Sequence, residues 1–217
     1  MGIPALSQFF NFASELGKLK KLERFKGQPY WRDYPELPRY ESVADHSWRL
    51  GMLVLMFSGK LAQKLDLEKA LKLVLVHDLP EIITGDGSPI GEDGTGQTTY
   101  AFDSEKAHEK HVWEKEAAKQ LFAGLPDDMA KDFYELWLEY DLQLSYESKV
   151  VKSLDKIEAF LQVSQYRKWH LFEKHLEFNI IYGTKWSEID PAIFEFGQMI
   201  AEDMKENYRE FKKNSIN

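Results

Sequence analysis

Apolar residues in this chain recur at three- and four-residue steps, the spacing that places them on one side of an α-helix. Leu6, Phe9, Phe10, Ala13, Leu16 and Leu19 follow that rhythm and predict a first helix with one buried stripe. From about Gly27 to Tyr40 the rhythm gives way to a loop rich in Pro and aromatic residues. Ser42 with Asp45 three residues on is a capping-box signature, which opens a second helix expected to run through Gln63. Asp66 can cap a third, ending near Asp78. The Gly-rich segment Gly85 to Thr99 has no apolar periodicity and reads as a long loop, a feature that compact domains keep chiefly for function.

Beyond it, Glu105 to Phe122 predicts a charged amphipathic helix closed by Gly124 and Pro126, and Asp127 to Tyr140 predicts another. Ser145 can cap a long helix whose stripe is Val150, Leu154, Ile157 and Leu161, with Asp155 at its edge and so turned inward. In the last helix Asp190 is the N-cap and Pro191 the first helical residue, followed by Ile193, Gly197, Ile200, Met204 and Phe211. Alternating strand patterns, internal repeats and linker-like stretches are absent, so the expected fold class is all-α. We expect a single domain over 1–217, with core motifs in 42–166 and C-terminal helices in 167–217 packing on it.

Composition narrows the function. A chain of 217 residues, 43% of them apolar, suffices for one substantial core. The excess of 36 Asp+Glu over 28 Lys+Arg, a formal charge of −8, argues against polymeric nucleic acid as a partner, while a small phosphorylated molecule remains compatible with a locally positive cleft. With no Cys, any metal must take N and O ligands. The basic residues near the N-terminus follow rather than precede the apolar stretch, and no apolar run is long enough to span a bilayer. A cytoplasmic location without membrane attachment is the expectation.

His46 lies in a first helical turn, His77 and Asp78 at a helix end and Asp155 on a later helix, places from which side chains can converge. Two imidazoles and two carboxylates suffice for an octahedral site with positions left for water and substrate. His108 and His111 share a helical face and would be extra ligands in a two-metal site, but Lys106, Glu109, Lys110, Glu114 and Lys115 around them have the composition of a solvated surface.

The segments SVADHSW, VHDLPEIITGD and VVKSLDKIEAFLQ resemble the signature segments of HD-domain phosphohydrolases, in the branch that contains deoxynucleoside 5'-monophosphatases, and the similarity extends roughly from Leu16 to Tyr166. The resemblance implies an HD-type helical bundle in which His46, His77, Asp78 and Asp155 hold one divalent cation, with Co, Mn, Fe, Ni and Zn all compatible with N/O ligands. It implies that Glu81, with Asp78 beside it, serves catalysis by accepting a proton from the attacking water or orienting it. It also implies that Asp86, Gly87 and Ser88 contact the sugar. The branch places an Arg next to a Trp upstream of the first ligand to hold phosphate. This chain offers Arg24 with Phe25, or Trp31 with Arg32, and Arg32 is preferred because Trp31 could also stack on a base. The implied activity is hydrolysis of a nucleoside or deoxynucleoside 5'-monophosphate, and the implied assembly a homodimer. The rivals are a two-metal phosphodiesterase or an oxygenase using His108 and His111, and a non-catalytic nucleotide-binding metal protein.

Overall fold

The computed structural model describes residues 3–25, 39–166 and 173–215. Trp31 and Arg32 lie outside the described residues. The helices are α1 (Ile3–Leu16), α2 (Val43–Phe57), α3 (Leu67–Val76), the short α4 (Glu81–Thr84), α5 (Ser104–Phe122), α6 (Asp127–Asp141), α7 (Tyr146–Tyr166), α8 (Glu173–Thr184) and α9 (Pro191–Ser215). No β-strand occurs among the described residues, and none of the helices is long and apolar enough to cross a membrane.

The caps form as the sequence predicts. Asp45 N–H donates to Ser42 Oγ at 3.1 Å while Ser42 N–H donates to Asp45 Oδ2 at 2.9 Å, the reciprocal pair of a capping box. Lys69 N–H donates to Asp66 Oδ1 at 3.1 Å and Ser148 N–H to Ser145 Oγ at 3.1 Å, so α3 and α7 are also capped by side chains. Asp190 does two things. Its Oδ1 accepts from Ala192 N–H at 2.9 Å to cap α9, and its Oδ2 accepts from Ala62 N–H at 2.7 Å. α2 stops at Phe57 rather than at Gln63; Lys60 N–H and Leu61 N–H turn back to Phe57 O, and the Ala62–Asp190 bond ties the turn to the start of α9.

α7 is the axis of the bundle and packs against α2, α3, α6, α8 and α9. Its Val150, Val151, Leu154, Ile157 and Phe160 are essentially inaccessible, and each such side chain withdrawn from water contributes about 1.5–3 kcal/mol. Gly183 permits the close approach of α8, because a Cβ there would stand 2.5 Å from Phe160 Cγ.

The buried stripe of α1 differs from the expectation. Leu6, Phe10 and Ala13 face solvent, Phe10 with 74% of its surface exposed, whereas Phe12 is buried against Phe122 of α5 and Phe133 of α6. Phe9, Phe12, Leu16 and Leu19 form the inward stripe. Both residue sets obey helical spacing within one wide apolar arc, opposite Ser7, Gln8, Asn11, Ser14 and Glu15, and the position of α5 and α6 decides which edge of that arc is buried.

The Gly-rich loop after α4 is folded back on itself. Gly96 N–H donates to Ile90 O at 2.7 Å and Thr99 Oγ1 to Pro89 O at 2.5 Å, while Ile90 and Ala101 pack on Phe178 of α8. This places its first residues, Asp86 and Gly87, in the lining of a cleft to which α4, α5, α6, α7 and α8 also contribute.

Candidate metal centre and cleft

His46 lies on the first turn of α2, His77 caps the C-terminal end of α3, and Asp155 sits midway along α7. These elements pack together around one point, and ligand atoms of His46, His77 and Asp155 all lie within 4.8 Å of one another. His46 Nε2 is 3.3 Å from His77 Nε2 and 3.2 Å from Asp155 Oδ1. Asp78, in the turn after His77, brings Oδ2 to 3.1 Å from His77 Nε2 and 3.6 Å from His46 Nε2. Neighbouring ligands that each stand about 2.1 Å from one ion are about 3 Å apart, so these spacings suit a shared cation.

The other ring nitrogens supply the test of that fit. His77 Nδ1–H donates to Val74 O at 2.8 Å, and His46 Nδ1–H donates to Glu158 Oε2 in a short contact. With each Nδ1 turned to an acceptor, the two Nε2 atoms face each other at 3.3 Å, a gap that a proton on His46 bridges in the metal-free protein and that a cation would take over as it displaces that proton. Two nitrogens and two carboxylates meet there, the donor set that first-row divalent ions accept.

Glu158 is itself fully buried and held from the far side by Arg49, whose Nε donates to Glu158 Oε1 at 2.6 Å. Arg49 also reaches Glu41 at 3.2 Å and Gln162 at 2.5 Å. Asp155 uses its second oxygen differently: Oδ2 accepts from Tyr140 Oη at 2.6 Å and from Lys156 Nζ at 2.8 Å, leaving Oδ1 toward the histidines. Neither Glu158 nor Tyr140 was expected from the sequence. Glu158 lies three residues after Asp155, on the adjoining helical face, and that spacing is its one local signal.

Electrostatics separate the carboxylates. Burial and the nearby Arg24 pull the His46 imidazole down, yet Glu158 and Asp155 outweigh them and raise its pKa to about 10. Burial would raise Asp155, but Lys156 and His46 hold it well below the usual carboxylate range. Glu81 goes the other way, pushed well up by burial and then by Asp78 and Asp86. It opens α4 beside Asp78, and its buried Oε2 has no hydrogen-bond partner among the described residues. A poised carboxyl of this kind next to a candidate metal site is suited to proton transfer.

The cleft beside these groups measures about 330 Å³. Asp86 and Gly87 line it, and burial pushes the Asp86 carboxyl up. Gly87 O accepts from Tyr100 Oη, which anchors the loop. Ser88 is not in the lining, and its Oγ instead accepts from Ile90 N–H at 3.4 Å. Arg24 reaches the cleft from the segment before α2, where Arg24 N–H donates to Glu41 O at 2.8 Å. Its Nη1 is 3.4 Å from Asp78 Oδ2 and its Nε 3.2 Å from Glu41 Oε2. Phe25 next to it adopts φ 67° and packs edge-on against Tyr166, a left-handed conformation that a non-Gly residue holds only when its surroundings compel it.

The face carrying His108 and His111 is only partly the solvated surface that its composition predicts. His108 is exposed, but His111 is bonded to Asp141, stacks on Trp137 and lines the cleft together with Lys110 and Glu114. Ala107, Lys110, His111 and Glu114 of α5 line the cleft, so part of that polar helix faces it while Glu105, Lys106, His108 and Glu109 remain exposed.

Comparison with known proteins places these observations in a lineage. The HD domain family matches residues 16–196. The human protein named 5'-deoxynucleotidase HDDC2 is 36% identical over 165 residues, which cover 76% of this chain and 70% of that protein. A Dictyostelium discoideum protein of the same name is 29% identical over 197 residues, covering 88% and 94% of the two chains. Among solved structures, a protein from Magnetospirillum magnetotacticum described as a "predicted metal-dependent phosphohydrolase" superposes with a TM-score of 0.67 at 18% identity, over 94% of this chain and 97% of that one. This last likeness concerns the fold alone. The family match over most of the sequence, and a relative 36% identical over the 165 residues it aligns, establish that the chain belongs to the HD domain family.

Proposed function

We propose that the protein is a metal-dependent phosphomonoesterase that hydrolyses a deoxynucleoside 5'-monophosphate to the nucleoside and inorganic phosphate. The observation that carries this is the convergence of His46, His77, Asp78 and Asp155 on one point beside the buried, unpartnered Glu81. Relatives named 5'-deoxynucleotidase point to the same chemistry. One divalent cation would be held by those four residues. When bound, such an ion supplies charge against the phosphoryl oxygens and lowers the pKa of water toward neutrality.

The chain's own groups do the rest. The positive charge of a bound cation would offset the burial and the neighbouring carboxylates that hold Glu81 protonated, and in its ionised form Glu81 takes up the proton of the attacking water, with Asp78 beside it setting the field in which that proton moves. Arg24 presents a guanidinium to the phosphoryl oxygens, fixed in direction by Glu41 and Asp78. Asp86 and the Gly87 backbone, held by Tyr100, face the sugar. In this reading the protein works in the cytoplasm as a homodimer.

The test is a phosphate-release screen over nucleotides and sugar phosphates, repeated with several divalent metals after chelation. Release from deoxynucleoside 5'-monophosphates that depends on added metal is expected, and a blank in every combination overturns the proposal. Nucleotide binding without turnover would favour a non-catalytic metal protein. The two-metal and oxygenase readings are disfavoured because His108 is exposed and His111 is already engaged by Asp141.

A further inference from the structure

Three ammonium groups stand together in the cleft wall. Lys152 and Lys156 are four residues apart on α7 and therefore share a face, and Lys110 comes from α5 opposite them. Two of the three have a carboxylate at hand. Lys156 Nζ is 2.8 Å from Asp155 Oδ2, and Lys110 is paired with Glu114. Lys152 forms no ion pair among the described residues; its Nζ rests 4.5 Å from the centre of the Tyr140 ring, the same ring whose hydroxyl donates to Asp155. The nearby Asp141 is engaged by His111.

A half-buried ammonium beside two like charges is an unfavourable arrangement that a counterion relieves. Burial foremost, and then Lys156, pulls the Lys152 pKa down to about 8, with Asp155 acting in the opposite direction. The shape of the site tells which anion. Lysines are point charges, and three of them reaching in from two helices can meet different oxygens of one tetrahedral, doubly charged group, as a single planar carboxylate cannot. Aromatic faces of Tyr100 and Tyr182 stand beside Lys110 and Lys156, 5.1 and 5.7 Å from the respective ammonium groups, and leave less room for water around them.

We propose that Lys152, backed by Lys156 and Lys110, forms an anion subsite of the cleft that takes a phosphate dianion, separate from any contact that Arg24 makes. The subsite deepens the phosphohydrolase reading and rests on it for the identity of the substrate. The phosphate has two possible sources: the group being transferred beside Asp155, or a second phosphate on the same ligand.

The test uses the full chain loaded with metal and inorganic phosphate as the probe, titrated calorimetrically at low ionic strength near neutral pH. Lys152→Met retains the apolar stem and removes the charge; it should weaken phosphate binding about tenfold or more. Lys152→Arg should recover most of that loss, and binding of the uncharged nucleoside should not change. Thermal melting checks that each variant is folded, and Lys152→Gln replaces the Met variant if that one melts below the assay temperature. A phosphate Kd within roughly twofold of the parent's in a folded, charge-free variant overturns the subsite. KM for a nucleoside 5'-monophosphate and for a 3',5'-bisphosphate then separates the sources: a rise for both assigns the transferred group, and a rise for the bisphosphate alone assigns the second phosphate. Lys152-dependent phosphate binding in a protein that hydrolyses no nucleotide would keep the subsite and refute the activity. Hydrolysis with phosphate binding indifferent to Lys152 would do the reverse.

Discussion

Glu158→Gln should weaken metal binding while leaving the fold intact. Both oxygens of the Glu158 carboxylate are committed, Oε2 to His46 Nδ1–H and Oε1 to Arg49 Nε at 2.6 Å. Glutamine has one acceptor oxygen where two donors must be met, so its amide nitrogen must face either the imidazole N–H or the guanidinium. A buried donor left without an acceptor costs about 1–3 kcal/mol. If the mismatch falls on His46, the ring turns or changes tautomer, and Nε2 no longer offers its lone pair to the ion. Loss of such an outer partner lowers metal affinity about 10- to 100-fold, or roughly 1.4–2.7 kcal/mol. The assay is competition with a chromophoric chelator on the purified variant, with circular dichroism and thermal melting in parallel. A folded variant that binds metal as tightly as the parent would show that Glu158 does not orient His46, and the tautomer assignment would fall with it.

Asp155→Ala should lose metal content together with activity, whereas Glu81→Gln should retain metal and substrate binding and lose about 10²–10⁴-fold in turnover, since an amide cannot take the proton; metal analysis and kcat on both proteins check this, and near-normal turnover of the Gln variant would reduce Glu81 to scaffold. If Asp86 reads the sugar 3'-hydroxyl, a 3'-deoxy nucleotide should turn over far more slowly than its parent, and Asp86→Ala should remove most of that difference by slowing the parent; equal discrimination in both proteins refutes the contact. His175 is fully buried, and burial holds its pKa down to about 3. The fold therefore accommodates the neutral ring, so stability is intact above the unfolded value of about 6.5 and falls by about 1.4 kcal/mol per pH unit as pH drops toward 3. Urea unfolding at pH 7 and pH 5 should show the loss over that interval reduced by about 2 kcal/mol in His175→Gln, and parallel pH profiles for the two proteins would contradict it.

Much of this protein is written in short-range signals, and those the chain determines by itself. The capping box at Ser42, the caps at Asp66, Ser145 and Asp190, and the apolar stripe of α7 depend on residues within a turn or two of one another, so local chemistry suffices to place them. The four proposed ligands are legible for a different reason. None of His46, the His77–Asp78 pair and Asp155 is distinctive alone, and it is the resemblance of SVADHSW, VHDLPEIITGD and VVKSLDKIEAFLQ to the HD-domain segments, in that order, that implies them as a set.

What lies between elements was decided only in three dimensions. Two edges of the apolar arc of α1 satisfy the same periodicity, and the position of α5 and α6 selects Phe12 over Phe10. α2 ends at Phe57, short of the expected Gln63, and a long-range bond from Ala62 N–H to Asp190 ties down the segment that follows. The spacing of Lys152 and Lys156, and that of Lys110 and Glu114, is what a solvated helix surface would also show. Nothing in the sequence says that α5, α6 and α7 fold those faces toward one another, nor that Glu158 stands behind His46. Periodicity fixes which residues share a face, but the partner of that face is chosen by packing among segments far apart in the chain, where burial turns ordinary surface charges into a site.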